Sequence, residues 1–470
     1  MQYVSTPKTV RISDILANRA SFSPHNYNRV IVDENSSRTI RELLSGDPVK
    51  GEEVGSSAYI PQSHKYFLRT KALQPDSLLI DFTKDSIIPI LPSKFIDQNL
   101  TEGDIIISKD SNIGEVIILD KDYPDFMLSN GLYKLPITDY KYYLLAFTKH
   151  PFFKTQLNFL VSKGATIRHA KTLFLDCKIP LPKKNTEETV EQIENLVREI
   201  IVYEKSIRIR EDAISDLIDA ELDLTRIKGY KYSLPSVRDI GRTFRIDAGF
   251  YCEDYKSKQW LINTYKHGSG TLKDWKYDIG RGQNLQVSAI GKSIYTNAKK
   301  DGFYTLARPT NLSDFGTVTR YEYLGNQNTL NTIQAGDIIF SAEGSIGKCV
   351  MFVDPGERVI TNIHGIVLNK QDHDIEESSY VCSFLRYLRK IGLLDYVSVG
   401  GQGGSLAMKY FPEVEVPFFP QDRKLKISKL YHNPTASNRN EMGILELDNR
   451  VKATKARLNS LIEGVLSEQY

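Results

Sequence analysis

From Thr186 to Leu222 the chain sets apolar residues among charged ones in a seven-residue rhythm, with no Gly or Pro to interrupt it. Ile193, Ile200, Ile207 and Ile214 recur every seven positions, and Val190, Val197 and Ile218 stand three or four positions away. Such a stripe is the seam of a coiled coil. It predicts one helix, capped by Thr186 or Thr189 with glutamates in its first turn, and about 50 Å long at 1.5 Å per residue. A second stripe runs through Ile444, Leu447, Val451, Leu458, Leu461 and Val465, with Thr454 at the remaining seam position. The first helix ends where the intervening segment begins, and the second begins where that segment ends. Packed side by side, the two must run antiparallel.

Elsewhere the apolar runs are short and divided by Gly, Pro, Asn and Ser: Leu78 to Phe82, Ile87 to Leu91, Asp104 to Ile107 and Val116 to Leu119. They predict strands, and Tyr142 to Leu160 predicts a helix. The order then restarts. GDIIISKDSNIGEVIIL at Gly103 to Leu119 is matched by GDIIFSAEGSIGKCVMF at Gly336 to Phe352, an offset of 233 positions. Asn130-Gly131 pairs with Asn362-Ile363, Tyr143 with Tyr380, and KIPLP at Lys178 to Pro182 with EVPFFP at Glu415 to Pro420. Upstream, Asn18 to Asn28 pairs with Phe244 to Lys256. Two copies of one domain therefore lie on either side of the first helix.

The fold class that follows is α+β. Two repeated domains of mixed or antiparallel β with helices are separated by two long antiparallel coiled-coil helices, in a pseudo-twofold symmetric arrangement. The boundaries read as 1–183 for the first domain, 184–226 for the central helix, 227–420 for the second domain, and 421–470 for a C-terminal helical region that carries an inserted loop and the second coiled-coil helix.

Composition narrows the classes. Apolar residues at 41% and charged residues at 25% describe a soluble globular protein, and a net charge of +3 is too small to indicate nucleic-acid binding by itself. Cys177, Cys252, Cys349 and Cys382 have no CxxC spacing, which argues against a zinc site or a disulfide framework and fits a reducing cytoplasm. No apolar run approaches about 18 residues and the N-terminus lacks a signal pattern, so the expectation is a protein neither exported nor membrane-spanning. Enzyme motifs fail on inspection. In GSIGKC, the first glycine of a phosphate-binding loop would fall at Ala342, and Cys349 replaces the magnesium-holding hydroxyl. Asn433-Pro434-Thr435-Ala436 lacks the aromatic residue of amino-methyltransferase motifs, and the histidines have no metal-ligand spacing.

Candidate binding chemistry sits in loops. Each repeat has a polar hairpin tip, with Ser108, Lys109, Ser111 and Asn112 in the first and Ser341 and Ser345 in the second. A Gly-containing loop follows the helical stretch, with Lys163, Thr166 and Arg168 in one copy and Gln402, Ser405 and Lys409 in the other. Such loops let backbone amides and cations approach phosphates. Arg281, between Gly280 and Gly282, and Gln283 beyond them are residue types that read base edges. Outside the shared framework the copies differ widely, which suits two reading heads with different targets.

With both repeats and both helices in view, the chain resembles the specificity subunits of type I restriction-modification systems, over nearly its whole length. The resemblance implies that each domain reads one half of a bipartite site in double-stranded DNA, and that the helices set the gap between the halves. It also implies that the helices dock two DNA-methyltransferase (modification) subunits, through surfaces that include Ile193, Ile200, Ile207, Ile214, Ile444, Val451, Leu458 and Val465. Restriction (endonuclease/translocase) subunits would join further out. The complex would use S-adenosylmethionine, ATP and Mg2+, none held by this non-catalytic subunit, in the cytoplasm of a prokaryote. The alternatives are a protein-protein scaffold, or a recognition subunit of another methyltransferase-based defence system. HNPTASNRNEMG, inserted before the second helix, departs from the family pattern.

Overall fold

The computed structural model describes residues 3–17, 20, 22, 24–83, 85–160, 171–224, 229–356, 358–400 and 404–469. The chain forms two compact units, one of residues 1–205 with 450–470, the other of residues 206–449. Both long helices, Thr186–Leu224 and Ile444–Ser467, are divided between them.

In the first unit, an antiparallel sheet is ordered Val49–Lys50, Leu132–Leu135, Ile105–Ser108, Val116–Ile118. Ile105 to Ile107 and Val116 to Ile118 are all buried, as continuous apolar runs demand when both faces of a strand are covered. A second sheet sets Tyr66–Leu68 between Ile87–Pro89, antiparallel, and Phe126–Leu128, parallel. Leu68, Ile106, Ile117, Leu128 and Leu132 share one core. Leu78 to Ile80 are buried as expected but form no strand; the Leu78 carbonyl accepts from the Ile118 amide at 2.9 Å. The single helix expected over Tyr142 to Leu160 is two, Lys141–Lys149 and Pro151–Leu160. Pro151 forces the break, because the residue before a proline is pushed out of the helical region, and His150 is extended at φ −80°, ψ 148°.

The second unit repeats this framework residue for residue. Ser108 pairs with Leu132 and Ser341 with Gly365; Ile105 pairs with Ile118 and Ile338 with Met351. The glycines that open the hairpins, Gly103 and Gly336, have φ of +86° and +85°. Terminal strands Lys178–Pro180 and Glu415–Pro417 pair antiparallel with Ser37–Thr39 and Ser269–Thr271. Each of these is locked by a buried tyrosine, Tyr143 donating to the Pro180 carbonyl at 2.6 Å and Tyr380 to Pro417 at 2.8 Å. Even the turns agree: Glu42 accepts from the Thr39 amide and hydroxyl, and Asp274 from those of Thr271.

Three differences matter. Strand pairing sets Ser129, not Asn130, opposite the position of Asn362, because Glu52 bridges Ser129 as Gln283 bridges Asn362. Upstream, the helix Glu253–Asn263 is longer than the short turn Pro24–Tyr27 that precedes the strand Arg29–Val30 in the first unit, and residues 18, 19, 21 and 23 of that sequence match lie outside the described residues. Finally, the second unit's counterpart of the second sheet gains an edge strand, Ile294–Thr296, beside Glu322–Gly325.

The seam residues are buried as their spacing predicts, and because Ile193, Ile200, Ile207, Ile214, Ile444, Val451, Leu458 and Val465 are all covered by the chain itself, they offer no free surface on which a further subunit could dock. Ile193, Val197 and Ile200 are buried in the first unit, and Ile207, Ile214, Ile218 and Leu222 in the second. Thr186 begins the long helix without capping it, since its hydroxyl donates to the Pro182 carbonyl at 2.8 Å. Within the first unit the helices run antiparallel: the Lys183 amide meets Glu468 at 2.7 Å, and Glu204 meets Lys455 at 3.0 Å. Val451, Leu458 and Val465 are buried there, but Ile462 takes the position expected of Leu461, which is only half-buried.

The second helical region is interrupted, as Gln421–Tyr431, then a loop, then Ile444–Ser467. The loop's two ends touch. Glu446 accepts from the Asn433 amide at 2.9 Å and the Gly443 amide at 3.0 Å, and its other oxygen holds His432 Nδ1 at 2.5 Å. A Cβ on Gly443 would press on the backbone of Tyr431 and His432 at 2.8 Å. Arg210 of the long helix grips the returning end of the loop through the carbonyls of Asn440 and Met442, at 2.6 and 3.1 Å.

Candidate nucleic-acid interface

Both hairpins are built the same way up to the tip. The Ser108 amide donates to Glu115 and the Gly114 amide to Ser108; Ser341 pairs with Lys348 and Gly347 with Ser341 identically. Gly114 and Gly347 have φ of +77° and +85°, where only glycine is unstrained. A Cβ on Gly114 would collide with Leu157, and one on Gly347 with Leu394. The tips are thus set on rigid supports. The positions just inside them carry opposite charge: Glu115 pairs with Lys149 at 3.4 Å and Lys154 at 2.8 Å, Lys348 with Asp314 at 3.1 Å. Burial pushes the Lys149 ammonium down to about 8, against the pull of Glu115. Asp314 is held low by Lys348 and Arg389, which outweigh the upward push of burial.

Ser108 and Ser341 do not offer hydrogen bonds outward as expected. Both are buried, and their hydroxyls donate to the carbonyls of Asp110 at 2.7 Å and Glu343 at 3.2 Å. Short hydroxyl side chains at a strand end satisfy the turn's own backbone before they can serve a ligand. Lys109 lies against Asp110, and Asn112 donates to the Leu73 carbonyl at 3.1 Å. Of the four first-unit candidates at the tip, Ser111 alone is exposed, at φ +57°.

In the second unit the two loops singled out from sequence meet. Val399 and Ser405 exchange backbone hydrogen bonds of 2.8 Å, closing the Gly-rich loop at its base, and the Leu406 amide donates to Ala342 at 2.8 Å. Ser405 also bridges Glu343. Glu343, half-buried like nearby Ser345, accepts from His364 Nδ1 at 2.7 Å and stands 3.7 Å from Arg281 Nη1. Arg281 in turn donates to the Ile363 carbonyl at 3.2 Å. Gln283 is half-buried, its side-chain oxygen accepting from the Asn331 amide at 3.4 Å. Lys409 is exposed, with its ammonium 4.8 Å over the Tyr410 ring. Lys163, Thr166, Arg168 and Gln402 lie outside the described residues.

Glu343 and His364 were not singled out from sequence, although Glu343 falls between the two chosen serines. With Arg281 they place an acceptor, a titratable ring and a cation fork at one end of the sheet. A carboxylate accepts from cytosine N4 and a guanidinium donates to guanine O6 and N7. The equivalent end of the first unit presents Lys50, Asp110 and Gly131. One framework thus carries two different sets of tip chemistry.

Residues 78–210 match a family described as the type I restriction modification DNA specificity domain. The comparison with curated proteins returned no match. Among solved structures, the type I restriction-modification system S subunit from M. genitalium is similar at 14% identity, covering 93% of this chain and 97% of that one with a TM-score of 0.38. The HsdS subunit from Thermoanaerobacter tengcongensis is 14% identical over 93% and 97% of the two chains, with a TM-score of 0.27.

Proposed function

We propose that this chain, which carries a type I restriction-modification DNA specificity domain over residues 78–210, is the DNA-recognition subunit of such a system. Each unit reads one half of a bipartite duplex site. The observation that carries this is the repetition itself: hairpins of identical register, supported by glycines at equivalent positive φ, present different side chains at their tips. Reading two unlike half-sites calls for a constant scaffold with variable ends. The subunit is non-catalytic. It brings DNA to two methyltransferase subunits docked on the long helices, and to restriction subunits beyond them. S-adenosylmethionine, ATP and Mg2+ belong to those partners. Among the described residues no helix is long and apolar enough to cross a membrane.

The test is methylome sequencing of cells that express the chain with a cognate methyltransferase. A modified motif of two short specific halves separated by a fixed gap is the expected result. An active methyltransferase with no bipartite motif would overturn the reading in favour of a protein scaffold. The logarithm of duplex affinity should also fall linearly with the logarithm of salt concentration, which a protein scaffold would not show.

A further inference from the structure

Residues 282–303 link Tyr277–Arg281 to Tyr304–Leu306, and they are longer than the equivalent link at residues 51–65. The added length forms an arm made of a helical turn, Val287–Ile290, and the edge strand Ile294–Thr296. Among the described residues the first unit has no counterpart of that strand.

The arm is tightly held from below. Ile290 is buried, and its carbonyl accepts from Asn326 Nδ2 at 2.9 Å and Asn328 Nδ2 at 3.0 Å. Asn326 also holds Ser293 at 2.7 Å, and Gly291 turns the chain at φ +73°. Yet it leaves large apolar side chains in water: Val287, Ile294 and Tyr295 are 66%, 63% and 47% exposed, the last two on opposite faces of the strand and Tyr295 with the Arg308 guanidinium 5.9 Å over its ring. Fixing an element this firmly while leaving large apolar side chains in water is a cost to folding that a bound partner offsets. The charge on the arm selects that partner. Lys292, Lys299 and Lys300 stand against one acid, Asp301, with Gln286 and Asn297 exposed among them. Ile294–Thr296 is the outer edge of a four-stranded sheet, and on DNA lysines meet phosphates, amides pair with adenine and apolar side chains pack on thymine methyls.

We infer that residues 286–302 are a DNA-contacting arm that adds base contacts to the half-site read by the second unit alone. This rests on the DNA-reading function proposed above. The test compares methylomes of cells carrying the methyltransferase with either the wild-type chain or the variants Ile294→Ser/Tyr295→Ala and Lys292→Ala/Lys300→Ala. These positions are exposed, so folding is retained.

The apolar pair should relax one or more positions in one half of the motif and leave the other half unchanged, since a lost base contact costs discrimination of about tenfold. The lysine pair should weaken duplex binding and lower the log-log salt slope by about two. A wild-type bipartite motif that returns unaltered in the apolar variant overturns the arm while sparing the DNA reading. So does an unaltered motif with loss of the co-purifying methyltransferase, which would make the arm a protein-docking surface. A wild-type chain with no bipartite motif removes both.

Discussion

Arg386 and Glu211 form a two-pronged ion pair, at 2.6 and 3.4 Å, with the arginine side chain only 1% exposed. Tyr431 lies under the guanidinium at 4.5 Å, and a Cβ on Gly316 would meet its Nη1. The pair ties the helix Ile375–Lys390 to the long helix within the second unit. Breaking such a pair leaves an uncompensated buried charge. Glu211→Ala should therefore cost about 3–5 kcal/mol, while Arg386→Met with Glu211→Leu should restore much of it. Denaturant titration of the three proteins checks this; equal losses in the single and double variants would contradict it.

Gly114→Ala and Gly347→Ala should each destabilise by about 1–3 kcal/mol, because a methyl group at positive φ meets Leu157 in one case and Leu394 in the other. Thermal melts give the magnitude. Gly344→Ala is the contrast: its φ is also positive at +70°, but nothing lies within 4 Å of the added methyl. It should cost less than Gly347→Ala.

His150 titrates against folding. Its Nδ1 accepts from the Phe152 amide at 3.2 Å, opening the helix Pro151–Leu160, and its Nε2 stands 3.3 Å from Glu463. Burial holds its pKa below the usual 6.5, although Glu463 pulls the other way. The unfolded chain thus binds the proton more readily, so the stability present above about pH 6.5 is lost as the pH falls towards the lower folded value. His150→Asn keeps an acceptor for the amide and removes the titration. Wild-type melting temperature should drop relative to this variant between about pH 6.5 and 5, and parallel curves would rule the effect out.

At the second tip, Glu343→Gln should change the base preferred at one motif position, since an amide can donate where the carboxylate only accepts. Lys409→Ala should weaken binding to all duplexes and reduce the salt slope by about one. Methylome sequencing and salt-dependent binding separate the two effects. A Lys409→Ala protein with an altered motif and an unchanged slope would mean that this lysine reads bases.

The framework was legible because it obeys periodicity. Ile193 to Ile214 and the 233-residue offset between hairpins needed no side-chain knowledge, only a constant register. The site was less legible because surface polarity does not say where a short side chain points. Ser108 and Ser341 look like tip donors in sequence but close their own turns. Glu343 and His364 are 21 positions apart and become neighbours only through the pairing of Ile338–Ser341 with Gly365–Lys370. Leu461 and Ile462 differ by one step of a helix, and a seven-residue template cannot separate them where helical repeat and template drift apart. At His150-Pro151 the local effect of proline overrides the longer apolar pattern and splits the helix.

The loop between Tyr431 and Ile444 leaves and returns at nearly the same place, clasped by Glu446. Its length is therefore decoupled from the spacing of the helices on either side. A peptide tag spliced between Ala436 and Ser437 would hang from a closed neck. That makes this segment a natural handle for labelling, immobilising or tracking the protein without altering the packing of its helices.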